Sequence, residues 1–344
     1  MAILSNIKQY IIAISQDIKN GKKHNKTTVE KLAAKYEITN KNEVKEFTEL
    51  AIVNIARSLA HSPNKTIKQR YESIVGLYLS QVNLSQRTSE SIRMQQYSTP
   101  APIAYLAGVF CGFNKKPENY YYFEPSAGNG LLTIAGKPHY FIVNELDEIR
   151  LRNLKTQGFD TVFNSDASKP FHADKFVYDA VITNPPFGSL PSQEKVGTLQ
   201  TKVLDHAMAA IALETMRHDG KAAIIIGGHT KWDPAGRIQK GKNRDFFVWL
   251  YKTYNVVDVI NIDGHALYSR QGTAFNVRLI LIDGRGLNKD AWPPGQKITD
   301  VVVNKFDQLY KRIMQHVNQL DKKPKANKQK LIAIAKAKLA LSIL

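Results

Sequence analysis

Phe123-Glu124-Pro125-Ser126-Ala127-Gly128-Asn129-Gly130 decides how this chain is read, because it follows directly on the aromatic run Tyr120–Phe123. A Gly-x-Gly turn straight after a strand lets the backbone approach a ligand closely, since no side chain intervenes. Two phosphate-binding versions of such a turn do not fit. A dinucleotide fingerprint requires a third glycine at 133, where the chain has Thr133. A P-loop requires Gly-Lys followed by Ser or Thr, but Gly136-Lys137 is followed by Pro138.

On either side of this turn, short apolar runs alternate with helical patterns: Tyr120–Phe123, Tyr140–Val143, Thr161–Phe163, Val177–Ile182, Ala222–Ile226, Val256–Ile262 and Asn276–Ile282. They are β-branched or aromatic-rich and too short for free-standing helices, so the stretch predicts an α/β domain with a mainly parallel sheet. Ligands of such sheets bind beyond the carboxyl ends of the strands. Residues 1–92 read differently. Leu4, Ile7, Ile11, Ile14 and Ile18 recur at helical spacing, Thr27 and Glu30 suggest a capping box, and further helical stretches run from Val44 to Leu59 and from Ile67 to Val82. Three regions follow: a helical N-terminal region (1–92), an α/β domain (93–285) and a basic helical C-terminal extension (286–344). The extension reads as a solvated helix, a phosphate-contacting tail or a membrane-surface segment.

The chain has 344 residues and a net charge of +18. That excess favours a polyanionic partner, nucleic acid before an anionic membrane. A single cysteine, Cys111, excludes an internal disulfide framework and a thiolate-rich zinc site. None of the nine histidines stands at metal-ligand spacing, so no metal is expected. No stretch approaches the roughly 18 apolar residues of a membrane span. Lys8 and Asp17 interrupt the apolar N-terminus, which therefore does not read as a signal peptide. The expectation is a cytoplasmic protein in a reducing compartment.

Two acids follow successive strands. Glu145 ends the second run, where a carboxylate can accept from both hydroxyls of a ribose, and Asp166 follows the third, where it can accept from an adenine amine. Asn184-Pro185-Pro186-Phe187 comes straight after the fourth run. Two prolines cannot continue a ladder, so the chain must leave the sheet there. The Asn184 side-chain oxygen and the Pro185 carbonyl then offer two acceptors for an exocyclic amine. Phe187 offers a face for a base removed from its stack.

The chain thus resembles S-adenosylmethionine-dependent amino-methyltransferases of nucleic acid: FEPSAGNG resembles their cofactor loop and NPPF their catalytic loop. A third match, Tyr97-Ser98-Thr99-Pro100, lies upstream and gives the gamma-class motif order of DNA adenine-N6 methyltransferases. The resemblance covers roughly residues 85 to 285. The stretch Leu84–Ser89 leading into Gln95-Gln96-Tyr97 is also similar to methyltransferases carried by phages and conjugative elements. The resemblance implies a Rossmann-like seven-stranded methyltransferase sheet with an antiparallel last hairpin, and S-adenosylmethionine as cofactor. It implies a cofactor site of Tyr97, Thr99, Pro100, Glu124, Pro125, Ser126, Ala127, Gly128, Gly130, Glu145, Asp166 and Asn184. Asn184, Pro185, Pro186 and Phe187 are its catalytic residues. Asp219-Gly220-Lys221 resembles the turn into the fifth strand, and Gln271-Gly272-Thr273 the start of the closing hairpin. Tyr268 is a candidate second stacking residue beside Phe187.

Lys231, Arg237, Lys240, Lys242 and Arg244, interleaved with Trp232, are candidate DNA phosphate contacts. The loop Gly188–Thr201 is expected to be a mobile cover. No segment has the size of a separate recognition domain, so specificity is expected to be low, loop-encoded or supplied by a protein partner; the oligomeric state stays open. Competing readings are an RNA amino-methyltransferase, a cytosine-N4 enzyme, a protein glutamine methyltransferase and a cofactor-binding subunit without catalysis.

Overall fold

The computed structural model describes residues 2–81, 98–115, 120–170, 176–271, 274–286, 290–296 and 301–322. Four helices come first: α1 (Ala2–Lys19), α2 (Lys26–Ala34), α3 (Lys41–Ala60) and α4 (Ile67–Ser80). The second is not capped by Thr27 and Glu30 as expected. Asn25 is the N-cap: its side chain accepts from the Thr28 backbone N–H, and the Thr28 hydroxyl accepts from the Asn25 N–H. Asn outranks Thr at this position because its carbonyl reaches the orphan N–H groups of the first turn.

Helix α5 (Ala101–Phe110) leads into the α/β part, and every one of its residues is buried. Then come β1 (Tyr122–Glu124), β2 (Phe141–Asn144), α6 (Glu148–Lys155), β3 (Thr161–Phe163), β4 (Tyr178–Thr183), β5 (Ser189–Val196), β6 (Leu199–Val203) and α7 (Leu204–Glu214). They are followed by β7 (Met216–Gly227), α8 (Lys242–Thr253), β8 (Tyr254–Ile262), the single turn α9 (Gly264–Leu267), β9 (Val277–Arg285), β10 (Val302–Val303) and α10 (Phe306–Lys322).

The main sheet has the order β10-β8-β9-β7-β4-β1-β2-β3. All pairs are parallel except those of β9, which runs antiparallel to both β7 and β8. The seven strands of the alternation therefore form the expected Rossmann-like, mainly parallel sheet, with its reversed strand inserted next to the edge. The two-residue β10 adds an eighth, unexpected strand outside β8. Strand β7 starts earlier than its apolar run. Met216 pairs with Tyr178 and Lys221 with Ala180, so Arg217 to Gly220 bulge out between them.

Successive side chains of a strand face opposite sides, and this divides the core in two. Ala223 and Ile225 join Tyr122, Phe141 and the helices α1 to α5 and α10 in one cluster. Ala222, Ile224 and Ile226 join Phe123 and the helices α7 and α8 in the other. The N-terminal helices thus share their core with the sheet. Tyr71 of α4 donates to the Phe306 carbonyl and stacks on Tyr310 of α10.

The segment expected to be a mobile cover is instead the antiparallel ribbon β5–β6. It turns at Gly197, which has φ 56°. Val196 and Leu199 at its tip are buried against the α7 side of the core, which fixes it. Strand β10 and helix α10 are the described elements of the C-terminal extension; the Lys- and Ala-rich segment 323–344 lies outside the described residues. Among the described residues no helix is long and apolar enough to cross a membrane.

Candidate functional site

The carboxyl ends of β1, β2, β3 and β4 open onto a cavity of about 410 Å³. Of the residues expected from sequence, Thr99, Pro125, Ser126, Ala127, Gly128, Glu145, Asp166, Asn184, Pro186 and Phe187 line it. Pro100, Glu124, Gly130 and Pro185 do not, and Tyr97 lies outside the described residues.

The glycine turn is built by its own backbone. Gly128 and Gly130 take φ of 56° and 90°, in the left-handed region where a Cβ is strained. The Gly130 N–H donates to the Ala127 carbonyl at 2.8 Å, and the Ala127 N–H to the Asn144 carbonyl at 2.9 Å. Glu145 ties this turn to the next element. One carboxylate oxygen accepts from the Gly128 N–H at 2.7 Å, and the other from the Asp147 N–H at 2.9 Å. Each oxygen keeps a further lone pair for a ligand hydroxyl. Burial raises the Glu145 carboxyl above its usual value, while the Arg150 charge and these N–H groups oppose that. Glu124 lies beneath the turn, fully buried, and accepts from the Ser126 N–H at 3.0 Å. Burial pushes its carboxyl well above the carboxylate range. It therefore supports the loop rather than facing the cavity. Asp166 is exposed at the rim, and one of its oxygens accepts from the Ser168 N–H. Leu146, next to Glu145, is 50 % exposed at the cavity wall and offers an apolar face there.

A polar cluster under the turn is absent from the sequence reading. Asn129 donates to Glu46 at 2.6 Å and to Glu49 at 3.0 Å, both on α3. Its carbonyl oxygen accepts from Asn153 at 2.8 Å. Arg150 of α6 forks onto Glu46 at 2.9 and 3.3 Å. Burial would raise the Glu46 carboxyl, but the Arg150 and Lys45 charges outweigh it and hold it down. Glu49 goes the other way: burial and the neighbouring Glu46 charge raise it. The signal in the sequence was an acidic pair at i, i+3 among the apolar positions Val44, Phe47 and Leu50 of α3, the face a helix buries.

Beyond β4 the chain leaves the sheet as expected of Asn184-Pro185-Pro186-Phe187. The Asn184 amide donates to the Thr99 hydroxyl at 3.0 Å. Phe187 is half-buried over Gly227 at the end of β7, where an added Cβ would meet the ring at 3.2 Å. Tyr268 is corrected as a stacking residue: it is 1 % exposed, in the core cluster that also holds the α4 helix, and offers no open face to a base.

The basic loop follows β7 and lies on the same edge of the sheet. Lys231, Arg237, Lys240 and Lys242 are exposed. Arg237 and Arg244 pair with Asp233 at 3.2 and 2.9 Å, and Arg244 also donates to the Ile238 carbonyl. Arg244 thus braces the loop from within. Among the described residues no three His, Cys, Asp or Glu side chains gather as a metal site.

No protein-family model and no curated relative matches the chain. Solved structures do. A methyltransferase subunit of a type I restriction-modification system from Streptococcus thermophilus is similar at 15% identity, over 89% of this chain and 73% of that one, with a TM-score of 0.46. A Listeria monocytogenes protein described as a class I S-adenosylmethionine-dependent methyltransferase is similar at 15% identity, over 90% and 98%, with a TM-score of 0.46. A Vibrio vulnificus protein described as a modification subunit of a type I restriction enzyme is similar at 11% identity, with a TM-score of 0.43. The alignment covers 70% of this chain and spans 57% of the length of that protein. At such identities the functional reading rests on the residues of the site.

Proposed function

We propose that this protein is a DNA methyltransferase that uses S-adenosylmethionine and acts on the N6 amine of an adenine flipped out of its stack. The observation that carries the reading is one cavity lined by the glycine turn, Glu145 and Asp166 at one part and by Asn184, Pro186 and Phe187 at another. The donor set fits the cofactor. Glu145 keeps lone pairs for two ribose hydroxyls, Leu146 offers an apolar wall for a purine, and the Ser126 hydroxyl, buried at the wall, has no protein hydrogen-bond partner. Bound S-adenosylmethionine supplies an electrophilic methyl group carried on a sulfonium.

The chain's own residues supply position and polarity. Asn184, braced by Thr99, is the proposed acceptor of a hydrogen bond from the target amine, turning its lone pair out of conjugation; the Pro185 carbonyl is the proposed second acceptor, although Pro185 is buried and does not line the cavity. Phe187 supports the extracted base, offsetting an unstacking cost of a few kcal/mol. Catalysis then comes from alignment and fixed acceptors, with no strong general base. The exposed lysines of the loop after β7 are proposed phosphate contacts. Specificity is proposed to be low, loop-encoded or supplied by a protein partner.

The test is methyl transfer from labelled S-adenosylmethionine to duplex DNA, single-stranded DNA, structured RNA and protein extract, with Asn184→Ala as control and mass spectrometry of the modified nucleoside. N6-methyladenine in DNA, absent with the variant, is the expected result. Label in RNA or protein moves the substrate class, and cofactor binding without transfer to any of them overturns catalysis by the isolated chain.

A further inference from the structure

Glu49 belongs to none of the motifs, yet its side chain reaches the cavity from α3, in the helical N-terminal region. It is 1 % exposed. One of its oxygens accepts from Asn129 at 3.0 Å, and the Ser98 hydroxyl stands beside it. The other oxygen, Oε1, is buried with no hydrogen-bond partner. A buried carboxylate oxygen left in this state is costly, and a cationic donor relieves it best. Among the described residues no side-chain cation is hydrogen-bonded to that oxygen. Arg150, which also lines the cavity, directs its guanidinium to Glu46 at 2.9 and 3.3 Å. Glu145, the other buried acid of the wall, has a backbone N–H on each oxygen. Among the acids that line the cavity, Glu49 is therefore the one with a buried oxygen left without a partner.

We infer that Glu49 binds the ammonium group of the aminoacyl end of the cofactor, so that the N-terminal helices complete the cofactor site. The inference rests on the cofactor reading above. It also accounts for a like-charge pair, Glu46 and Glu49, being kept one turn apart on a buried face: the ligand neutralises what α6 does not.

Isothermal titration of the full chain separates the two readings. The ligands are S-adenosylhomocysteine, which carries the ammonium, and 5′-methylthioadenosine, which has the same nucleoside and sulfur without the amino acid. Glu49→Gln should weaken S-adenosylhomocysteine roughly tenfold or more, the size of a lost charged hydrogen bond, and change methylthioadenosine less than about twofold. Its unliganded melting temperature should be equal or higher, since the substitution removes repulsion from Glu46. Glu49→Asp, which keeps the charge, should recover part of the affinity. Unchanged S-adenosylhomocysteine binding by Glu49→Gln, or parallel loss of both ligands, overturns the role of Glu49 alone. Failure of the unaltered protein to bind either compound overturns the cofactor reading with it.

Discussion

The Asn184 amide donates to the Thr99 hydroxyl at 3.0 Å, joining residues 85 positions apart across the mouth of the cavity. A side-chain amide has two ends, and a donor bond at the nitrogen leaves the oxygen to face the other way. Thr99 is itself buried, so the restraint is a stiff one. Thr99→Val removes the acceptor at nearly constant volume. It should lower turnover about tenfold, corresponding to one hydrogen bond of ~1 kcal/mol or slightly more, and Thr99→Ser should restore most of it. Single-turnover methyl transfer at saturating cofactor measures this; equal rates for Val and wild type refute the orienting role.

Asn184→Ala and Phe187→Ala should fail in different ways. The first removes an acceptor that acts on the reacting amine, so transfer should fall by roughly 10²-fold or more while cofactor affinity holds. The second removes a support for the extracted base. It should weaken productive binding by about 1–3 kcal/mol, and an unpaired or mismatched target should recover part of the loss. A fluorescent base analogue at the target position reports extraction directly, and unchanged fluorescence with Phe187→Ala would sink the stacking role.

The two glycines of the turn carry different loads. At Gly130 an added Cβ would meet Gln157 at 3.1 Å and Phe159 at 3.3 Å, on top of a φ of 90°. At Gly128 the nearest atom is Arg150 Nη1 at 4.0 Å, and only the φ of 56° resists. Gly130→Ala should cost about 1–3 kcal/mol of stability through strain and crowding together. Gly128→Ala should cost less stability, yet still weaken cofactor binding because it lines the cavity and donates to Glu145. Urea unfolding and ligand titration on both variants separate these outcomes.

What the sequence made legible was local. Each strand of the α/β alternation sits on an apolar run, and Glu145 and Asn184 could be placed because each stands two positions beyond the end of such a run. Distant partnerships were hidden. Glu46 and Arg150 are 104 residues apart, and nothing in either segment names the other. Tyr268 was misplaced because its exposure depends on tertiary packing. Tyr78 of α4 bonds the carbonyl of neighbouring Leu267 and closes over that corner. The ribbon β5–β6 escaped notice because its first strand is polar and contains Pro191, which reads as loop when a strand has no sheet to enter.

Helix α10 is pinned to the sheet edge by a half-buried acid. Asp258 of β8 accepts from Arg312 at 2.7 Å on each oxygen and from His316 at 2.7 Å. Burial would raise its carboxyl, but the hydrogen bonds from His316 and Arg312 and the Arg312 charge prevail and bring it down to about 2. A carboxyl lowered on folding contributes stability that is complete above its unfolded value, near 4, and is lost as the pH falls from there toward 2. That contribution is of the order of 2 kcal/mol. Asp258→Asn should therefore destabilise the protein at pH 7 by at least that much, with the difference from wild type shrinking between pH 4 and pH 2. A difference constant with pH would show that the ion pair carries none of it.

The loop after β7 should separate charges that reach outward from charges that hold the loop together. Lys231, Lys240 and Lys242 are exposed, whereas Arg244 is committed to Asp233 at 2.9 Å and to the Ile238 carbonyl. Each lysine that neutralises a phosphate releases counterions, so its removal should lower the slope of log affinity against log salt by about 0.9 on duplex DNA or about 0.7 on a single strand. Replacing all three by Gln should thus reduce the slope by roughly 2 to 3 and weaken binding alike on every sequence. Arg244→Ala should change the slope by less than one lysine does. Its signature should be faster proteolytic cleavage between Thr230 and Gly241, because the side chain that closes the loop is gone. Binding at several salt concentrations, with limited proteolysis alongside, decides the matter. An unchanged slope for the triple lysine variant would place the DNA path elsewhere on the molecule, and a full unit lost with Arg244→Ala would make that residue a contact after all.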